Sequence, residues 1–366
     1  MAFPDGMSVH DGVVDLDPCE PAFVCDPYPD DAAMRQLGRR FHWRQLGRRS
    51  TLAVATVVLA GSCLHAGALA QRPDAGGGDD ESAWVTPAIR APGVTHHTFE
   101  SKVAGTRVSY HLYSPGVHDR EPTRRFPVVY WLHGSGGGLR GIPQIARRCD
   151  QAITSGSAPP MFVVFVNGLR EGMYVDWKDG SKPVETMIVQ DLVPHVDATH
   201  RTIAGRAGRL LDGFSMGGYG AARLGLKFPE MFHAVSIVGG GPLQPDLLAQ
   251  APRAGRRRAA EVLERVYGGD PGYFASVSPR TLAARNARTV AAGSLVRVVV
   301  GDTDETFANN RAFHEHLEAV GIPHAWIVLP GIGHDPAGVL DALGADNWSF
   351  YRTAFGDTPE GRRAAE

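Results

Sequence analysis

The chain has 366 residues, of which 43% are hydrophobic and 21% are charged, and its formal net charge at pH 7 is −2. These values are typical of a globular protein, and the length allows one large α/β domain or two smaller ones. A nearly neutral charge balance gives no reason to expect a nucleic-acid partner.

The first 70 residues have the pattern of an export signal. Residues 1–49 form a basic leader, for which Met34 is an alternative start, and residues 50–70 form an apolar stretch ending in Ala68-Leu69-Ala70. This order predicts a signal peptide cleaved after Ala70 by the general secretory or the twin-arginine route, the latter because Arg48-Arg49 precedes the apolar stretch. We therefore expect a secreted or extracytoplasmic protein whose mature form has no stable membrane insertion. The alternative is a membrane anchor formed by residues 50–70.

Residues 71–95 are rich in glycine and acidic residues and are predicted to be a flexible linker before a domain over 96–356. Cys149 is the one cysteine after residue 70, so we expect no internal disulfide. The domain alternates apolar strand patterns with helical ones. Strands are predicted at 106–113, 127–132, 161–167, 209–212, 234–238, 295–300 and 325–329, and helices at 142–155, 184–200, 218–228, 309–320 and 339–355.

This alternation predicts an α/β fold with a mainly parallel sheet and helices on both faces. Continuous apolar runs such as Val128–Leu132 are typical of strands buried on both sides. Residues 242–290 break the rhythm and are interpreted as a lid-like insertion over the site.

The most informative motif is Gly213-Phe214-Ser215-Met216-Gly217, which follows an apolar strand and precedes a helical pattern. Such a strand–serine–helix turn is typical of a nucleophile elbow, in which a strained turn presents the serine hydroxyl. Because G-x-S-x-G occurs by chance in a glycine-rich chain, the interpretation depends on partners later in the sequence.

Suitable partners for Ser215 follow two later strands. A serine nucleophile needs a base and an acid that orients it, in the chain order serine, acid, histidine. Asp302, Asp304 and Glu305 follow one strand, and His334 follows the next. We predict His334 as the base and leave the acid open between Asp304 and Asp302. His324 precedes its strand and is expected at the wrong edge of the sheet, and the helical His314 and His316 are expected to be solvated.

Backbone N–H groups near Ser215 are candidates for an oxyanion hole. One is the N–H of Met216, and the second is expected from the glycine-rich loop after strand 127–132, from Ser135 with Gly134 as the alternative. This loop lacks the fingerprint of a phosphate-binding loop, and the histidines show no metal-ligand spacing. No cofactor and no metal are therefore expected.

The chain also resembles a family of α/β-hydrolases that includes secreted feruloyl esterases, S-formylglutathione hydrolase and the antigen 85 mycolyltransferases. The resemblance covers about residues 96–355 and is carried by the segments at 127–134, 191–197, 213–221, 228–232 and 333–335. It implies an α/β-hydrolase fold with Ser215, Asp304 and His334 as the triad. It also implies that the segment 174–177 borders the substrate cleft, with Asp176 and Trp177 as candidate substrate-binding residues.

The sequence thus predicts a secreted serine carboxylesterase that acts on a small-molecule or polymer-linked ester through an acyl-serine intermediate. An acyltransferase of the antigen 85 type is the nearest alternative, since it uses the same triad. A non-catalytic binding protein on a hydrolase scaffold is the second alternative. Feruloyl, short acyl and lipid esters all remain open as substrates.

Overall fold

The computed structural model describes residues 7–10, 13–16, 83–251 and 255–356, and the chain divides into two units, Met1–Gly77 and Gly78–Glu366. In the first unit, strands β1 (Met7–His10) and β2 (Val13–Leu16) pair antiparallel, with Met7 opposite Leu16. The rest of the predicted basic leader 1–49, the predicted signal peptide 50–70 and residues 71–82 of the predicted linker lie outside the described residues.

The second unit alternates strands and helices along the chain. Its strands are β3 (Val94–Ser101), β4 (Thr106–Tyr113), β5 (Val128–Leu132), β6 (Phe162–Val166), β7 (Arg209–Phe214), β8 (Ala234–Val238), β9 (Leu295–Gly301) and β10 (Ala325–Leu329). The helices are α1 (Val117–Arg120), α2 (Ile142–Thr154), α3 (Val184–Thr186), α4 (Val193–Thr199), α5 (Met216–Lys227), α6 (Leu247–Gln250), α7 (Arg256–Tyr267), α8 (Pro271–Val277), α9 (Pro279–Ala291), α10 (Phe307–Ala319) and α11 (Pro336–Gly356).

Within the described residues, β3 to β10 form one eight-stranded sheet in the order β10-β9-β8-β7-β5-β6-β4-β3. All neighbours from β10 to β6 run parallel, whereas β4 pairs antiparallel with both β6 and β3. Every residue of β5, β6 and β8 is buried, as expected for strands covered on both faces. The predicted mainly parallel α/β fold is confirmed.

Apolar side chains pack on both faces of this sheet. On one face, α5 contributes Ala221 and Leu224 to a cluster that also contains Val235 of β8 and Leu282 of α9. On the other face, Cys149 of α2 packs with Tyr351 and Phe355 of α11. The parallel strands therefore end in a common edge, and the loops at that edge carry Ser215, Asp304 and His334.

The segment before the sheet differs from the predicted linker 71–95. Trp84 is 9% exposed and belongs to the core, and the backbone N–H of Thr86 donates to the Ser109 hydroxyl of β4 over 2.8 Å. The indole supplies apolar area that a solvated linker would leave in water. The packed segment therefore begins by residue 84, and β3 begins at Val94, two residues before the predicted domain boundary.

The predicted helix 184–200 and the segment 242–290 also have more detail than the sequence patterns indicated. A π-helical turn at Met187–Leu192 separates α3 from α4. Residues 242–290 contain α6, α7, α8 and most of α9, and α9 packs against α5 as part of the helical layer. Among the residues that the structure describes, no helix is both long enough and apolar enough to cross a bilayer.

Candidate active site

Ser215 lies at a sharp turn between β7 and α5. Its φ and ψ are +61° and −118°, a strained backbone conformation for a residue with a side chain. The turn brings α5 so close to the sheet that a Cβ on Gly217 would lie 1.9 Å from the Leu132 carbonyl oxygen, and one on Gly213 would lie 2.3 Å from that of Gly217. Both glycines of the motif are therefore required by close backbone contact.

Three side chains from three loops are hydrogen-bonded in series. His334 Nε2 lies 2.9 Å from Ser215 Oγ, and His334 Nδ1 lies 2.8 Å and 3.0 Å from the two carboxylate oxygens of Asp304. Because a carboxylate only accepts, Nδ1 carries the proton and Nε2 is left as an acceptor for the serine hydroxyl. The arrangement can therefore remove a proton from Ser215.

Asp304 is buried but remains well supplied with donors. Burial opposes ionisation of its carboxyl, but hydrogen bonds from His334 and from the N–H and hydroxyl of Thr306 outweigh it and lower the pKa. Asp302, the alternative acid, is exposed and accepts the backbone N–H of Gly331 over 2.7 Å. The structure thus brings Asp304, rather than Asp302, to His334.

The glycine-rich loop 134–138 passes beside Ser215. A Cβ on Gly134 would lie 3.3 Å from Ser215 Cβ, and both Gly134 and Ser135 line the cavity that contains Ser215. Met216, the first residue of α5, follows directly, and the first N–H groups of a helix have no intrahelical acceptor. The predicted oxyanion donors are therefore near the serine.

His133 holds this loop in place through hydrogen bonds. Its Nδ1–H donates to the Gly134 carbonyl over 2.8 Å, and its Nε2 accepts from the Gly168 N–H over 3.3 Å. The Tyr174 hydroxyl donates to the backbone carbonyl of His133 over 3.0 Å. Burial lowers the pKa of His133, and these contacts hold a single neutral tautomer. His133 therefore shapes the loop rather than supplying a proton.

Ser215 opens into a cavity of about 510 Å³. Apolar side chains of Trp131, Phe214 and Leu340 line it together with His334. Two arginines also line it, and each is paired with a carboxylate: Arg148 with Asp341, and Arg258 of α7 with Glu171. The predicted insertion 242–290 thus reaches the cavity through Arg258.

The two predicted substrate-binding residues lie elsewhere among the described residues. Neither Asp176 nor Trp177 lines the cavity at Ser215. Asp176 accepts hydrogen bonds from the backbone N–H and the hydroxyl of Thr186, the last residue of α3, and Trp177 packs against the core. No residue of the segment 174–177 is among those that line this cavity.

Several residues around the site were not singled out from the sequence. Trp131 and Phe214 have the apolar character of ordinary strand residues, and Arg258 is one of three consecutive arginines, so no local signal marked them. His314 and His316, expected to be solvated, are partly buried: His314 stacks on Trp326 at 4.8 Å and His316 contacts the Arg280 carbonyl. Among the described residues, no group of three or more potential ligands could hold a metal ion.

A parallel sheet whose strand ends carry a serine elbow, a histidine and an aspartate defines an α/β-hydrolase. The chain belongs to the Putative esterase family, whose model matches residues 101–346. One curated relative, esterase Rv1288 of Mycobacterium tuberculosis, is 29% identical over an alignment of 264 positions that covers 66% of this chain. The match covers 56% of the relative, so this chain spans little more than half of that protein's length.

Solved structures show the same fold at low sequence identity. A ferulic acid esterase aligns with a TM-score of 0.57 and 21% identity, covering 72% of this chain and 98% of its own. An S-formylglutathione hydrolase from Agrobacterium tumefaciens aligns with a TM-score of 0.58 and 18% identity, covering 73% and 98%. The predicted family resemblance is confirmed.

Proposed function

We propose that this protein is a serine carboxylesterase that hydrolyses carboxylic esters through an acyl-serine intermediate. The observation that carries the proposal is the pair of contacts made by His334, 2.9 Å to Ser215 Oγ and 2.8 Å to Asp304. Family membership and the esterase names of its relatives support the same activity.

In the first half-reaction, His334 Nε2 takes the hydroxyl proton of Ser215 as Oγ bonds to the ester carbonyl carbon. The carbonyl oxygen becomes an anion, which the N–H of Met216 and that of Ser135 or Gly134 stabilise. As the tetrahedral intermediate collapses, His334 returns the proton to the leaving alcohol oxygen. The carbon–oxygen bond of the ester breaks, and the acyl group remains on Ser215.

In the second half-reaction, His334 removes a proton from water, and the resulting hydroxide attacks the acyl-serine. Collapse of this second intermediate releases the carboxylic acid and returns the proton to Ser215 Oγ. Asp304 keeps the imidazole in the required tautomer and stabilises its charged form throughout. An alcohol in place of water would give a new ester, so an acyl transferase would use the same steps.

The deciding experiment compares hydrolysis of p-nitrophenyl acetate, butyrate and octanoate by the wild type and by Ser215→Ala. We expect kcat to fall by about 10⁴-fold or more in the variant. Ser276→Ala, an exposed helical serine in α8, is the matched control and should retain activity. Activity that survives in Ser215→Ala would overturn the proposal. Product analysis with added alcohols would identify a transferase.

We further propose that the protein is exported, on the strength of the predicted signal peptide at 50–70 and the basic pair Arg48-Arg49 before it. Sequencing the amino terminus of protein purified from its native host tests this directly. A terminus at Gln71 is expected. Retention of residues 50–70 on membrane-bound protein would instead support the anchor. Loss of export in a variant with both arginines replaced by lysine would indicate the twin-arginine route.

A further inference from the structure

The described residues form a second cavity, of about 360 Å³, that the glycine-rich loop borders through Gly136, Gly137 and Gly138. Trp131, His133, Gly137 and Gly138 line both cavities, so the two adjoin along this loop. Ser215 and His334 line only the first. The second cavity is therefore an extension of the site that no step of the mechanism has used.

The second cavity is lined mostly by apolar side chains. Val85 and Pro87 of the segment before β3 form one wall, and Leu139, Ile142 and Phe165 lie among the others. Arg170 is the one Arg, Lys, Asp or Glu residue among the described residues that line it. Such a lining suits an uncharged apolar group.

The polar side chains of this lining are satisfied within the protein. His111 Nε2 accepts the Ile89 N–H over 3.2 Å, and burial together with the neighbouring His96 lowers its pKa to about 4, so the ring is neutral at pH 7. The Asn167 amide donates to the Trp84 carbonyl over 2.9 Å and accepts from the Leu169 N–H over 3.1 Å. These groups therefore do not require a polar ligand.

The position of His334 decides which part of an ester would point toward the second cavity. His334 must contact the leaving alcohol oxygen, because it returns the proton to that atom. His334, Pro336 and Leu340 line the first cavity and not the second, so the alcohol lies on their side. The carbonyl oxygen faces the proposed oxyanion donors, so the acyl group would take the remaining direction from the carbonyl carbon. Trp131, which lines both cavities, provides an apolar wall from the catalytic cavity into the second one.

We propose that the second cavity binds the distal, uncharged apolar part of the acyl group of the ester substrate. This inference rests on the proposed esterase function and adds the substrate class, esters of extended apolar acids. The catalytic cavity would hold the reacting carbonyl and the alcohol. A short acetyl group would leave the second cavity unused.

Val85 offers a way to close the second cavity without touching the catalytic one. Its side chain is 44% exposed, so a larger residue there can fill the mouth of the cavity without overpacking the core. Leu248, 41% exposed on α6, lines neither cavity and provides a matched apolar control. Leu139→Trp fills the cavity from another wall and serves if Val85→Trp does not fold.

The test measures kcat/KM for p-nitrophenyl acetate and octanoate in the wild type, Val85→Trp and Leu248→Trp. We expect the wild type to prefer octanoate by about tenfold or more, as burial of several methylenes allows. Val85→Trp should reduce the octanoate value at least about fivefold and change the acetate value less than about twofold. Leu248→Trp should change neither. A wild type that prefers acetate, or an octanoate value unaffected by Val85→Trp and Leu139→Trp, would overturn the assignment.

A binding experiment separates this inference from the proposed function. Calorimetric titration of Ser215→Ala with methyl octanoate should show binding that Val85→Trp, added to the same chain, weakens at least about fivefold. If the wild type hydrolyses none of the esters but this binding is found, the cavity assignment stands and the esterase proposal fails. If the wild type hydrolyses both esters equally and the titration shows no effect of Val85→Trp, the esterase proposal stands and the cavity assignment fails.

Discussion

The Arg297 guanidinium lies 3.5 Å from the Asp212 carboxylate, and both side chains are 1% exposed. Arg297 belongs to β9, which leads to Asp304, and Asp212 belongs to β7, which leads to Ser215. In α11, the helix after His334, the Tyr351 hydroxyl donates to Asp212, and the Asn347 side-chain oxygen accepts from Arg297. One buried polar network thus connects the three elements that carry the proposed triad.

Removing Arg297 should destabilise the fold strongly. Burial raises the pKa of Asp212 and Arg297 opposes that rise, so Arg297→Met would leave a buried carboxylate without its countercharge. We expect a loss of about 3–5 kcal/mol in the free energy of unfolding, measured by urea denaturation. Asp212→Asn combined with Arg297→Met should recover part of the loss. A double variant less stable than Arg297→Met would contradict this account.

Replacing the acid of the proposed triad should separate the two candidate aspartates. Asp304→Asn places an amide beside His334 Nδ1 and disturbs the tautomer that leaves Nε2 free to accept from Ser215, so kcat should fall by about 10³–10⁴-fold. Asp302→Asn, the matched control, alters only the turn contact with Gly331 and should retain kcat within about threefold. The opposite ranking in steady-state kinetics would assign the acid to Asp302.

Gly239 lies against the proposed triad in a left-handed conformation. Its φ is +49°, and a Cβ there would lie 3.0 Å from Phe214 Cε2 and 3.2 Å from Asp304 Oδ2. Gly105 has a φ of +64° with no atom within 4 Å of such a Cβ, so Gly105→Ala isolates the backbone strain. Each alanine should cost about 1 kcal/mol of stability, but only Gly239→Ala should lower kcat, by about tenfold or more. Equal kcat values in the two variants would exclude an effect of the added methyl group on the triad.

The histidines at the β3–β4 edge should make the fold sensitive to acid. Burial, with the neighbouring imidazoles, lowers the pKa of His111 and of His200 to about 4 from the usual 6.5. Between pH 6.5 and 4 the unfolded chain binds protons at these rings and the folded chain does not, so stability present above pH 6.5 is lost as the pH falls through this window.

Denaturation curves at pH 7 and 4.5 test this dependence in the wild type and in His200→Asn. Between pH 7 and 4.5 the free energy of unfolding should fall less in the variant than in the wild type. The difference should be about 1 kcal/mol after allowance for solvent screening. Lys102→Asn changes a charge near the same edge without removing an imidazole and is the control. A wild-type stability that rises on acidification would contradict the lowered pKa values.

Much of the site's framework could be predicted because each part has a local signal. The strained turn at Ser215 requires glycine on both sides, and buried parallel strands require continuous apolar runs, so both features are visible in a short window of sequence. The choice between Asp302 and Asp304 could not be made from the residues alone. Both follow the same strand, and only the course of the turn determines which carboxylate points toward His334.

The remaining differences arise from contacts between distant segments. Trp84 was assigned to a linker because glycine and acidic residues surround it, yet its indole is buried against the sheet. Trp177 was expected at the cleft, but it packs against the core, and the neighbouring Asp176 contacts Thr186 of α3. The second cavity combines residues 83–87 with the loops after β5 and β6, a combination that no sequence window contains.

The order of the strands also has a consequence for the biogenesis of the protein. Ser215 and His334 are 119 residues apart, and His334 follows β10. Among the described residues β10 is the last strand along the chain, and it pairs at the edge of the sheet with β9 alone. A ribosome delivers this strand after the other seven of the sheet, so a nascent chain can fold most of its sheet while its serine still lacks a base. In the proposed esterase, the triad is therefore complete only after β10 has joined the sheet, so a chain that ends before His334 would be inactive.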